Sequence, residues 1–271
     1  MHAAFNHLKA LALAAGLALA APHAFSQAFD AVRLYGAAPG KDGGRVGAVV
    51  VATYEYQGSD QRSTWVIPVL DYQWANGWFA GVGNGIGYNF SASASSSQLQ
   101  YGLRLTVDKG RKESRASALY GMGDVDAAAE GGAFFNYSLP QGWFLTSSLR
   151  YGAGANNKGL VADLGAGYLA EIAPNWHLGA GVGITLANAH YMQSFFGVNS
   201  AQSAASGYAL RSAGAGARDA RANMALTYSI SNRCSVTAAL SVSSLLADAK
   251  DSPLTRQRSS EMGVVALSYA F

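Results

Sequence analysis

The chain has 271 residues, half of them hydrophobic and only 13% charged, with 32 glycines, 14 tyrosines and a formal net charge of +3. An ordinary soluble domain carries about a quarter charged residues, so the missing charge implies a surface that faces something other than water. The small net charge, with Lys and Arg scattered rather than gathered into a stripe that could neutralise phosphates, argues against a nucleic-acid partner.

At the amino terminus Lys9 precedes the apolar run Ala10 to Ala21, and small residues follow at Ala24, Ser26 and Ala28. This is the pattern of a secretory signal peptide, here over 1–28, too short and wrongly flanked for a spanning helix. Cleavage is expected after Ser26 or Ala28, which leaves a mature net charge of about +2. Residues 29–45 are polar and Gly-rich and read as a periplasmic lead-in. No later apolar stretch approaches the ~20 residues a spanning helix needs, so a helical membrane protein is excluded.

From Val46 to Phe271 apolar and polar residues alternate in segments near the ~10 residues that a tilted barrel strand requires. The pattern predicts strands over 46–56, 63–74, 78–90, 97–108, 113–122, 127–139, 142–153, 159–172, 175–188, 217–230, 233–246 and 259–271. The last segment places Val265, Leu267, Tyr269 and Phe271 at every second position, as a strand must that faces lipid on one side and closes a cylinder. The expected fold is therefore all-β, a transmembrane antiparallel up-and-down β-barrel of about 12 strands in a bacterial outer membrane.

Connection lengths support it, because such barrels have short periplasmic turns and long external loops. Asn76-Gly77, Pro140-Gln141-Gly142, Pro174-Asn175 and Asn232 are tight turn signals on the predicted periplasmic side, whereas Asn188 to Gly216 and Ala247 to Arg258 fall outside. The fifth segment is the weakest: Lys109 to Arg115 carries five charges and a poor pattern follows, but without a strand there the count would be odd.

Alternation also assigns faces. In 217–230, Ala220, Ala222, Met224, Leu226, Tyr228 and Ile230 go to lipid, and Asp219, Arg221, Asn223, Thr227 and Ser229 go inward. Continued round the barrel, the expected lumen lining includes Asp71, Arg104, Asp108, Arg150, Asp163, Glu171, His177, Asp219 and Arg221. Buried charges are tolerable when paired or wet, so ion pairs, water or both are expected there. Trp74, Trp78, Trp143, Tyr151, Trp176 and Tyr269 sit near strand ends and read as headgroup-level girdles.

Few residues suggest chemistry. Gly81, Gly83, Gly85 and Gly87, like Gly179, Gly181 and Gly183, repeat at the strand period instead of as a dinucleotide-binding loop. They read as small inward positions where neighbours approach closely. His177 and His190 remain after signal removal, with no G-x-S-x-G or H-E-x-x-H, so neither catalytic residues, a metal nor a cofactor is expected. Asp124 and Asp126 stand beside glycines, as turn residues bonding their own backbone do, and lack the further ligands of a calcium loop. Cys234 is the only cysteine and falls on the apolar side of its strand.

Several segments carry a resemblance. Tyr54-Glu55-Tyr56-Gln57-Gly58-Ser59-Asp60 with Pro68-Val69-Leu70-Asp71-Tyr72, then Gly121 to Asp126, Gly159 to Gly165, Tyr191-Met192-Gln193-Ser194-Phe195-Phe196-Gly197-Val198, Ala204 to Gly207 and Asp251-Ser252-Pro253 are similar to the MipA/OmpV family of outer-membrane proteins. The likeness spans nearly all of 46–271, and Tyr191 to Val198 is its most specific part. Lys109 to Arg115 is less acidic than the family pattern, and Ser91 to Ser97 is a plain Ser/Ala segment. The resemblance implies a non-enzymatic barrel that scaffolds a murein lytic transglycosylase with a murein synthase, and it brings no catalytic or partner-contact residues. The alternatives are a small-solute pore, from the charged interior, and an adhesin acting through its external loops, of which 188–216 is the longest. In that loop Tyr191, Phe195 and Phe196 either bind ligands or fold inward as a plug.

Overall fold

A computed structural model describes residues 41–91 and 98–271; the expected signal peptide and all but the end of the lead-in lie outside them. The strands are β1 (Gly43–Tyr54), β2 (Arg62–Gln73), β3 (Trp78–Gly81), β4 (Gly85–Asn89), β5 (Leu99–Asp108), β6 (Ala128–Ser138), β7 (Trp143–Ala153), β8 (Gly159–Ala173), β9 (Trp176–Ala187), β10 (Gly216–Ser229), β11 (Cys234–Leu245) and β12 (Ser259–Ala270). Each pairs antiparallel with the next and β12 returns to β1, with Val46 opposite Tyr269 and Val50 opposite Val265. The wall is a closed twelve-stranded barrel, whose ladders pair most of its backbone groups within the protein, as a bilayer demands. Among the described residues no helix is long and apolar enough to cross a membrane.

Outward positions are apolar as alternation predicts, with Val182, Leu240, Val265, Leu267 and Phe271 all exposed on the wall. One rim carries the short turns 74–77, 139–142, 174–175 and 230–233 and several aromatic pairs. Trp78 packs on Tyr88, Trp143 on Tyr168, Trp176 on Tyr228 and Tyr72 on Phe271. The short turns identify this rim as periplasmic, and its aromatic residues sit at headgroup level.

Two predicted elements differ. The segment 78–90 is a hairpin, not one strand: it reverses over Val82–Asn84 at part of the barrel's height. A three-residue reversal keeps Gly81 and Gly85 on the same face, so the period-two pattern runs unbroken through the turn and hides it. Gly85 adopts φ +73, and a Cβ there would collide with the Leu105 carbonyl, so the tight reversal depends on glycine. The segment 113–122 is not a strand but two short 3-10 turns, Glu113–Arg115 and Ser117–Leu119, in an external loop. Its charges fasten that loop: Glu113 accepts the Gly121 and Gly123 N–H groups, and Asp124 accepts Glu113 N–H and the Lys112 ammonium. One strand gained and one lost leave the count at twelve but reverse the direction of 97–108. The connection between Asn89 and Leu99 is consequently periplasmic, and Lys109 to Arg115 lies outside.

The interior is not uniformly polar. Val49, Val51, Ile67, Ala225, Ala239, Met262, Val264 and Ala266 face inward from β1, β2 and β10 to β12 and form an apolar core, with Trp65, Val69 and Val82 against it. The charges gather on the other side of the bore.

Candidate functional site

The charged site begins with a β-bulge. Leu186 of β9 pairs with Ala217 and Thr185 with Asp219, which leaves Arg218 as an extra residue in β10. The bulge turns two consecutive side chains, Arg218 and Asp219, into the barrel, and both are buried. Arg218 Nε donates to Asp219 Oδ2 at 2.6 Å, and its Nη1 donates to the Tyr191 hydroxyl at 2.9 Å.

From Asp219 the network runs round the wall. Arg221 Nη1 lies 3.7 Å from Asp219 Oδ1 and 3.6 Å from Asp163 Oδ1, and donates to Thr185 Oγ1 at 2.7 Å. Thr185 in turn donates to Asp163 Oδ1 at 2.8 Å. Arg150 Nη2 donates to Asp163 Oδ2 at 3.0 Å, and its Nη1 to Glu130 Oε2 at 2.9 Å. Three guanidinium groups thus alternate with three carboxylates from β6 to β10, so the cluster is neutral. Such a chain adds little net stability, because desolvation offsets the Coulomb gain, but breaking one link strands a buried charge. Glu130 Oε1, Asp219 Oδ1 and Arg218 Nη2 are buried without a hydrogen bond. Beside Asp219 is a chamber of about 40 Å³ lined by Thr53, Ser241, Ser243 and Ser260, large enough for one or two waters.

Of the residues assigned to the lumen by alternation, Arg150, Asp163, Asp219 and Arg221 meet in this network. Asp108 stands at the outer end of β5, where its carboxylate accepts Gly110 N–H at 2.8 Å. Asp71 lies lower in the barrel, opposite Arg45 and within 3.4 Å of the Asn84 amide. Arg104 sits on β5 between Gly87 and Gly132. Glu171 is exposed at the periplasmic end of β8, opposite half-buried His177 and beside a bulge. Sequence reasoning missed Glu130 and Arg218. Glu130 is embedded in an Ala/Gly run without contrast between faces, and Arg218 is out of phase until the bulge is known. Among the described residues no group of three or more metal-ligating side chains converges.

A folded lid closes the outer mouth over the network. Its helices are α1 (Ala189–Phe196), α2 (Ser200–Ser206) and α3 (Ala247–Lys250). Asn188 caps α1 by accepting Tyr191 N–H at 3.0 Å, and its amide donates to Lys158 O. The segment Tyr191 to Val198 faces inward: Met192 and Phe196 are fully buried, and Tyr191 and Phe195 pack in the same apolar cluster as Val161 and Ala187. Gln193 accepts Ala213 N–H, and Gly197 leaves room for that amide, which a Cβ would strike. Arg111, 3% exposed, donates to Phe195 O, and burial lowers its pKa to about 10. Ser252 donates to Phe196 O at 2.7 Å, and the Tyr56 hydroxyl to Leu254 O at 2.8 Å. All the long loops are thereby tied into one cap.

With this architecture in view, comparison with known proteins is decisive at family level: the MltA-interacting protein MipA family matches residues 46–271. The chain belongs to the MipA family. No curated protein matches it. Among solved structures, this MipA-family chain is similar to the NanC porin, at 10% identity and a TM-score of 0.45 over 82% of this chain and 98% of that one. The CymD monoaromatic hydrocarbon channel gives 11% identity and a TM-score of 0.40 over 85% and 88%. OmpT, an outer membrane protein of Vibrio cholerae, gives 9% and 0.38 over 85% and 97%.

Proposed function

We propose that this MipA-family barrel is a non-enzymatic scaffold of the outer membrane, holding cell-wall remodelling enzymes, a murein lytic transglycosylase and a murein synthase, at its periplasmic rim. The observation that favours a scaffold over a pore is the cap: three helices and the loop 109–127 pack over the outer mouth, and α1 is bonded through Tyr191 to the charged network beneath. A barrel whose outer end is closed serves better as a rigid anchor than as a conduit. Docking falls to the periplasmic face, where the connection from Asn89 to Leu99 is longer than the tight turns beside it. Affinity capture with detergent-solubilised barrel should recover a murein hydrolase or synthase. A variant in which 91–97 is shortened to a two-residue turn should recover severalfold less. Recovery of neither enzyme by the unaltered barrel would sink the reading.

A further inference from the structure

Large inward side chains in the periplasmic half of the barrel lie flat on glycines instead of reaching across the bore. Phe79 rests on Gly87, Phe134 on Gly102 and Phe144 on Gly167, each ring taking the place a Cβ would occupy. Gly167 pairs with Gly181 and Gly165 with Gly183, so the middle of β8 and β9 is a bare patch facing the bore. A Cβ on Gly181 would meet only the backbone of β8. In the ring of strands, β8 and β9 stand opposite β2 and β3. Twelve strands ~4.8 Å apart and tilted ~40° give a diameter of roughly 24 Å, whereas two facing layers of side chains span only ~10 Å. Between those two walls there is room for one further segment of chain.

The wall opposite the glycines carries an apolar shelf. Trp65, Val69 and Val82 pack against the internal core yet keep part of their surface uncovered, and the Trp65 indole N–H is buried without a hydrogen bond. The chain enters at the foot of this shelf: the side-chain amide of Gln73 donates to Lys41 O at 3.3 Å, and Asp42 accepts Ala75 N–H at 2.8 Å. Gln73 is an inward position of β2, opposite Phe79, which sets Lys41 on the inner side of the rim. With cleavage after Ala28, twelve residues, 29–40, precede Lys41 and lie outside those described. Extended, they reach up to ~40 Å, more than the ~30 Å rise of a tilted twelve-residue strand. The small residues Gly36 to Gly40 stand nearest the mouth. From Lys41 beside Gln73, an extended path of about eight residues brings Val32, Leu34 and Tyr35 to the height of Trp65.

We propose that residues 29–40 turn back into the barrel and dock on this shelf as an internal strap. Val32, Leu34 and Tyr35 shield Trp65, Val69 and Val82 from water in the bore, and a carbonyl of the segment accepts the Trp65 indole N–H. The strap lies against one wall, so it narrows the bore without sealing it and leaves closure to the lid. The assignment is independent of the scaffold reading.

The test uses the full chain, processed in cells, with Cys234→Ala as background and heat-modifiable migration as the check that each variant folds. Mild oxidation should join Ala37→Cys to Val69→Cys, which stand at one height on the extended path, and should leave Ala37→Cys unjoined to outward Val66→Cys. Trypsin should cut the solubilised barrel after Arg33 at least tenfold more slowly than it cuts Val69→Asp, whose new charge spoils the shelf. In a barrel with 189–213 replaced by a Gly-Ser linker, deleting 29–40 should raise the unitary conductance at least twofold. No bond to Val69→Cys, or an equal yield with Val66→Cys, would overturn the proposal. So would equal rates of cleavage after Arg33, or a conductance that the deletion leaves unchanged.

Discussion

At the scale of single residues, the interior is specified by hydrogen bonds whose value lies mostly in being complete. Thr227 and Thr237 face each other inside the barrel with hydroxyls 2.9 Å apart, both buried. Thr227→Val alone leaves a buried hydroxyl unpaired and should cost about 1–3 kcal/mol, whereas the double change to valine should be close to neutral. Urea unfolding in micelles, followed by heat-modifiable migration, measures both. Tyr56 offers a pH readout in the lid. Burial raises its phenol to about 12, above the ordinary value of 10.0. A raised folded pKa means stability fully present below pH ~10 that is lost as pH climbs toward ~12, because the unfolded chain ionises first. Protease resistance of the lid should therefore fall across that window, and Tyr56→Phe should flatten the fall while lowering the starting resistance through loss of the bond to Leu254 O.

At the scale of elements, the bulge in β10 couples wall to lid. Deleting Arg218 restores the regular register with β9 and removes the guanidinium that holds the Tyr191 hydroxyl. The barrel should still form, since its other ladders are untouched, while hydrogen exchange over α1 should rise at least tenfold. Unchanged protection would mean that the apolar packing of Met192 and Phe196 alone holds the lid. The half-height hairpin makes the complementary point. Its alternation is faultless, yet the chain turns back at Gly85, because parity is conserved by an odd-numbered turn.

At the scale of the molecule, the cap decides conduction. Planar bilayers containing the purified barrel should show no unitary conductance, and replacing 189–213 by a short Gly-Ser linker should produce one. Channels in the unaltered protein would contradict a closed outer mouth. The barrel also explains why polar and apolar interiors coexist. Strands β1 and β12 are apolar on both faces near their middle, so their inward side chains pack together, and the charges are left to β6 through β10.

The amino-acid order by itself determined the barrel and its lipid face, because alternation against hydrocarbon is a local rule read two residues at a time; the strand number agreed only because one missed strand offset one false one. It also placed Arg150, Asp163, Asp219 and Arg221 on inward positions of regular strands. It did not reveal Glu130 or Arg218, the reversal at Gly85, or the inward fold of Tyr191 to Phe196. Those depend on a bulge, a turn of matching parity and long-range packing between loops. Each is settled only when distant strands are brought into register and the groups they bury must find partners.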